Sequence, residues 1–182
     1  MIASSILLGI GLSASAGFRV FIPLLVAALA GKFGWLPLTE GFSWMAGWPA
    51  IICFGTATVA EVAAYYIPVV DNFLDTITTP LAIMAGTLLA TSVIPVDSDL
   101  LKWTTGILLG GGAAGVVQTG TALLRLFSTK TTAGFGNPVV ATTEHVAALG
   151  TSMFSIIAPV VAGILMLLLI AWLVAKAVSR KQ

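Results

Sequence analysis

Residues 61–75 read Glu-Val-Ala-Ala-Tyr-Tyr-Ile-Pro-Val-Val-Asp-Asn-Phe-Leu-Asp and hold three of the chain's seven acidic residues, Glu61, Asp71 and Asp75, between long apolar runs. A carboxylate placed in hydrocarbon costs roughly 2.5 kcal/mol or more, so it normally faces a bundle interior or a wet cavity with a partner. The surroundings here read as hydrocarbon. Of 182 residues, 58% are hydrophobic and 8% charged, with a mean hydropathy of +1.08, whereas about a quarter of a soluble domain is charged. Strand-like alternation is absent, so helices must satisfy the backbone. The sequence therefore predicts an all-α polytopic membrane bundle, a single domain over 1–182, with five or six membrane elements at about 20 residues per span. Some of these elements are expected to be broken or re-entrant.

Working toward the N-terminus, residues 49–67 form an expected span that carries Glu61 and kinks at Pro68, whose missing N–H would release the carbonyl of Ala64. Cys53 lies in this run. A single cysteine cannot make an internal disulfide or a cysteine-rich metal site, and it reads as packing. Residues 31–48 read as a loop with three tryptophans suited to an interfacial belt. Residues 2–30 are apolar but interrupted by the small residues 13–17, ending in Gly17, then by Arg19 and Pro23. One straight helix would put Arg19 deep in lipid. Either the helix breaks there, with Pro23 freeing the carbonyl of Arg19 beside a buried cation, or it tilts and Arg19 snorkels to the interface. Residues 6–16 also mimic a signal peptide, but no basic segment precedes them, and a retained membrane element is expected.

Toward the C-terminus, Asp71 and Asp75 stand at i and i+4 and share a helix face. A span is expected over residues 80–93, followed by a turn at Asp97, Ser98 and Asp99 in which the acidic pair is solvated or caps the next helix. Residues 100–127 are glycine-rich. Gly106 with Gly110, and Gly111 with Gly115, give two small-xxx-small spacings for tight packing within the chain or across a homo-oligomer. Residues 139–150, opened by Asn137 and Pro138, form a short helix carrying Glu144 and His145. It is expected to be re-entrant or to continue into the apolar run 153–175. The basic tail 176–182 predicts a cytoplasmic C-terminus in a plasma membrane. Two short matches suggest weakly similar halves, 1–96 and 97–176. Ile6-Leu7-Leu8-Gly9 recurs as Ile107-Leu108-Leu109-Gly110, and Pro68-Val69-Val70 as Pro138-Val139-Val140.

Ser15-Ala16-Gly17-Phe18-Arg19 with Pro23, Glu61 with Ile67-Pro68, Val70-Asp71 and Leu74-Asp75, and Gly136-Asn137-Pro138 with Glu144 resemble the signature blocks of the membrane family catalogued as "domain of unknown function 4126". The resemblance covers nearly the whole chain and implies that these blocks form one site; it implies no activity. Tyr65-Tyr66 stand where the family pattern has a charged pair, and His145 where a second acid is common.

The candidate site is thus Arg19, Glu61, Asp71, Asp75, Asn137, Glu144 and His145, with Arg125 a further candidate. Pro23, Pro68, Pro138 and Gly17 serve as helix breaks. Arg19 with Glu61 is the simplest buried ion pair, and it could do no more than fix helix register. The leading functional expectation is a transporter or channel-like protein for a small cation or a proton-coupled solute. Glu61, Asp71, Asp75 and Glu144 are then the groups able to hold a proton or a divalent cation. The alternatives are a metal-dependent enzyme or binder acting on a lipid phosphate, through Asp71 and Asp75 with Arg19 and Arg125, and a non-catalytic scaffold subunit. Expected partners are the bilayer, a small ion or lipid head group, and a second copy of the chain. A net charge of +1 gives no reason to expect nucleic acid. His145 reads as a base, a ligand or a hydrogen-bonded helix contact.

Overall fold

The first apolar stretch carries too many interruptions to remain one helix, and in the computed structural model of the chain it is two, α1 (Ile2–Ala16) and α2 (Phe21–Lys32). The structure describes residues 2–132 and 135–179, with backbone alone over 68–76. Between α1 and α2 the N–H groups of Gly17, Phe18 and Arg19 fold back onto the carbonyls of Ala14 and Ser15 at 3.0–3.3 Å, which closes the end of α1 as a tight turn. Pro23 is therefore not the break that the sequence suggested. It lies in the first turn of α2, where an N–H would have no intrahelical partner, so its ring costs nothing there.

The two helices form a hairpin whose ends lie at the same end of the bundle. The yardstick is α7 (Asn137–Ile157). Along α1, Ser15 accepts a hydrogen bond from Thr151 at 2.8 Å, Gly11 faces Ser155, and Leu7 backs onto Gly163 beyond the end of α7. Along α2 the order reverses. Arg19 reaches the carbonyl of Ala141, and Phe33 and Trp35 share a groove with Met153 and Ile157. The tip, residues 17–20, thus stands inside the bundle, about 24 Å from the end at Ile157 by helical rise. Gly17 allows this: a Cβ there would lie 2.5 Å from the carbonyl oxygen of Ala114 and 2.6 Å from Val117.

Residues 33–47 are more ordered than the expected loop. A short 3₁₀ helix (Glu40–Ala46) sets Phe42 and Met45, with Leu36, into the core. α3 (Trp48–Ala64) starts beside Lys32, whose ammonium lies 4.7 Å from the Trp48 ring, and runs inward to the hairpin tip. At its end Tyr65, Tyr66 and Ile67 donate to the carbonyls of Glu61, Ala63 and Ala64. The kink expected at Pro68 is consequently a full break. Pro68 opens α4 (Pro68–Val93), and the Ala64 carbonyl is taken by Ile67. α4 passes through Pro80, where a new span was expected, and returns to the starting end, where Thr39 donates to the Ser92 carbonyl at 2.8 Å. Cys53, read as packing, faces outward.

α5 (Asp99–Thr105), a π-helical turn (Gly106–Gly111) and α6 (Gly112–Thr132) make one rod of 34 residues. Ser98 flanks α5 without a side-chain cap bond. The rod lies against α4 through glycine. A Cβ on Gly106 would strike Thr91 and one on Gly110 the backbone of Gly86, while Gly111 and Gly115 face Thr87 and Ile83. Both small-xxx-small spacings therefore face α4 within the chain. The segment expected over 139–150 is the 21-residue α7, with Pro138 in its first turn; Ala158 ends it, and Pro159 opens α8 (Pro159–Ser179).

All regular structure among the described residues is helical. Asp99–Thr132 and Pro159–Ser179 are long and apolar enough to cross a membrane, and the bent pair Glu40–Ala46 with Trp48–Ala64 makes a third if it counts as one span. Among the described residues the other apolar helices are shorter, Ile2–Ala16, Phe21–Lys32 and Ile77–Val93, the first two because the polar tip divides the first apolar stretch. The Pro-Val-Val segments at 68 and 138 both open helices, as does a third at 159, but α1 and α2 are broken where 99–132 is continuous.

Candidate functional site

The hairpin tip leaves the first N–H groups of α2 without carbonyls of their own helix to receive them. Glu61 of α3 does so, its two carboxylate oxygens accepting from Val20 at 2.9 Å and Phe21 at 3.1 Å. A carboxylate at a helix N-terminus is favoured by both hydrogen bonding and the helix dipole. Glu61 thus caps α2 and is not the ion-pair partner of Arg19 that the sequence suggested. Replacing Glu61 by Ala should lower stability by about 1–2 kcal/mol, in the range of lost helix caps, and Glu61→Gln, which keeps one acceptor, by less. Thermal unfolding in detergent checks this; equal stability of all three proteins would remove the capping role.

Arg19 instead reaches α7. Its Nη2 lies 2.8 Å from Oε2 of Glu144, and the same carboxylate takes a forked contact from Arg125 of α6, whose Nε donates to both oxygens at 3.2 and 3.1 Å while Nη2 donates to Oε2. Arg19, Arg125 and Glu144 are 1%, 4% and 4% exposed, so the cluster is an interior one. Tyr65, at the break between α3 and α4, is its hub. The Arg19 guanidinium carbon lies 3.5 Å and that of Arg125 4.2 Å from the ring centroid, an attractive arrangement for desolvated cations. The phenolic oxygen is 3.3 Å from Thr78 Oγ1 on α4. One aromatic ring thereby ties the hairpin tip, α3, α4 and α6 together.

His145, next to Glu144, stacks parallel on Tyr66 with centroids 6.1 Å apart and meets Tyr65 edge-on at 6.3 Å. Both of its ring nitrogens are buried without a hydrogen-bond partner, as is Nε of Arg19. The contacts resolved for its ring are aromatic. On the other side of Tyr65 lies a cavity of about 310 Å³, lined by Val20, Phe21, Ala60, Glu61 and Thr78 among others.

The structure thus brings together Arg19, Glu61, Arg125, Glu144 and His145. Asn137 lies seven residues from Glu144, about 10 Å along α7, and exchanges hydrogen bonds with Thr129 at the turn from α6. The side chains of Asp71 and Asp75 lie outside the described residues. Among the described residues no three His, Cys, Asp or Glu side chains group to hold a metal. For Glu61 and Glu144 the reason is visible, since backbone N–H groups and arginines take their oxygens. The cluster residue that the sequence reading missed is Tyr65. Its signal was its position one turn after Glu61 and two residues before the Ile-Pro break.

Fold and site together define an all-helical bundle built around a buried arginine–carboxylate cluster at the tip of an inserted helical hairpin. The chain belongs to the family described as "Domain of unknown function (DUF4126)", whose model matches residues 6–179. No curated protein and no solved structure matches it.

Proposed function

We propose that the chain is an integral membrane protein that moves a small solute together with protons through the Arg19–Glu144–Arg125 cluster. The observation that carries this reading is the cluster itself. Three ionised side chains lie in an interior made of apolar helices, at the level where two helices break, residues 17–20 and 65–67. Broken helices around charged side chains at membrane depth suit a binding site approached alternately from two sides.

The membrane setting has its own support. The outer surface is apolar: Leu165, Leu168 and Trp172 of α8 and Leu123, Leu126 and Phe127 of α6 all point outward, a surface costly in water and suited to lipid. In this proposal α3, α4, the 34-residue rod, α7 and α8 span, and α1–α2 is a re-entrant hairpin, six elements in all. Lys130 and Lys176 then lie at one face, and Arg180 and Lys181 come next in the sequence, while Glu40, Asp97 and Asp99 lie at the other face with Lys32 and Lys102. That distribution supports a cytoplasmic C-terminus. The expected homo-oligomer belongs to the same proposal; Gly112, open on its outer side, offers a place for close helix approach.

The test is proton-linked flux. Liposomes containing the protein and an internal pH-sensitive dye are given gradients of small carboxylates, phosphate, amines and cations in turn. At least one solute should change the internal pH faster than in empty liposomes, and Glu144→Gln should abolish that increment. Folded protein that moves no proton with any of them contradicts the reading and leaves the cluster a structural fastening.

A further inference from the structure

We infer that a trough between α6 and α8 holds one acyl chain of an anionic phospholipid, whose head group is received by Lys176. The inference rests on the membrane setting proposed above and is independent of transport.

The trough comes from missing side chains. Gly115 and Gly120 of α6 face it, and Thr119 beside them donates its hydroxyl to the Gly115 carbonyl at 2.8 Å, which occupies that polar atom. Neighbouring helices stand close on either side. A Cβ on Gly115 would meet Ile83 of α4 at 3.2 Å, and one on Gly120 would meet Leu173 of α8 at 3.2 Å. Two cavities result, of about 580 and 360 Å³, and they share Gly120, Leu123, Leu173 and Ala177, so they form one continuous strip. From Gly111 to Phe127 the strip is about 24 Å long by helical rise. Its rims are large, with Leu123, Phe127, Trp172 and Val178 all exposed. A helix about 10–12 Å across with its side chains meets those rims first. A methylene chain passes between them and reaches the floor.

The two ends of the strip differ. One is apolar, at Ile83 and Ile107; the other carries Lys176, whose ammonium lies 4.6 Å from the Trp172 ring centroid. Among the described residues no acidic side chain lines either cavity. Lys130 lies about one turn beyond Phe127, and Arg180 and Lys181 come next in the sequence after α8. Basic side chains just outside a membrane helix attract anionic lipid head groups, and tryptophan favours the head-group level. The length also agrees. Half of a hydrocarbon core is about 15 Å, so a chain entering beside Phe127 ends near the level of Val116 and leaves Gly112 clear. The lipid then fastens α6, which carries Arg125, to α8 from the outside.

Thermal unfolding of the full chain in an uncharged detergent tests this, with phosphatidylglycerol or phosphatidylcholine of the same acyl chains added in increasing amounts. Phosphatidylglycerol should stabilise at a lower mole fraction than phosphatidylcholine. Lys176→Gln should weaken its apparent affinity about fivefold, the factor for losing one interfacial cation. Lys102→Gln removes the same charge at the opposite face and should leave that affinity unchanged. Ala177→Trp, at an exposed position shared by the two cavities, fills the trough; it should abolish the response to phosphatidylglycerol and keep the unfolding temperature seen without lipid. Equal action of the two lipids, or equal losses from Lys176→Gln and Lys102→Gln, overturns the inference. So does an oligomer that Ala177→Trp splits while the lipid response persists, which would make the trough a contact between copies. Extraction of membranes with alkaline carbonate separates the lipid site from the membrane reading. A chain that stays in the membrane but ignores lipid charge sinks the lipid site alone, whereas a chain released by carbonate removes both.

Discussion

Truncating Glu144 to alanine should lower the free energy of unfolding by about 3–5 kcal/mol, because it leaves two buried guanidiniums without the carboxylate that both contact. Forming such a cluster in place of apolar side chains gains little, since desolvation of three charges opposes their attraction. Removing one member is a different matter, because both arginines then lose the carboxylate that offsets part of their desolvation. Glu40→Ala, at an exposed position of the 3₁₀ helix, is the control and should change stability by less than about 0.5 kcal/mol. Denaturant titration in mixed micelles reads both. A loss at Glu144 no greater than at Glu40 would mean that water reaches the cluster.

Gly17→Ala should be nearly as damaging to function and should cost about 1–3 kcal/mol, the range for overpacking. The added Cβ would lie 2.5 Å from the Ala114 carbonyl oxygen and 2.9 Å from the backbone nitrogen of Gln118. These are backbone atoms, which cannot rotate away as a side chain can, so the tip must withdraw from α6. Arg19, two residues on, would withdraw with it and lose its place on Tyr65 and Glu144. Solute-linked proton flux should fall at least as far as for Arg19→Ala. Gly150→Ala, with open space around it, should keep wild-type stability; if it is as damaging as Gly17→Ala, close approach to α6 is not what the tip requires.

Much of this arrangement was legible in residue order. Arg19, among small residues in an apolar run, announced a broken helix, and Glu61, Arg125 and Glu144 were recognisable as interior candidates because each stands in a stretch with no other reason to carry charge. Pairing was not legible. Arg19 and Glu61 are the most economical pair on paper, but the tip places two backbone N–H groups in front of Glu61, and those bind it before any side chain arrives. The breaks were misplaced for a related reason. Pro23 was read as interrupting a helix, yet it sits in the first turn of α2, where a missing N–H is harmless, and Pro68, read as a kink, opens α4 after a full break. Tyr65 was noted only as standing, with Tyr66, where the family pattern has a charged pair. Only the fold brings two guanidiniums over its ring.

The arrangement stands or falls on the meeting of Arg19 with Glu144, and a double-mutant cycle with Arg19→Met and Glu144→Gln measures it. The buried contact predicts a coupling free energy of about 1–3 kcal/mol. Additivity of the two single losses to within about 0.5 kcal/mol would show that the two side chains do not touch.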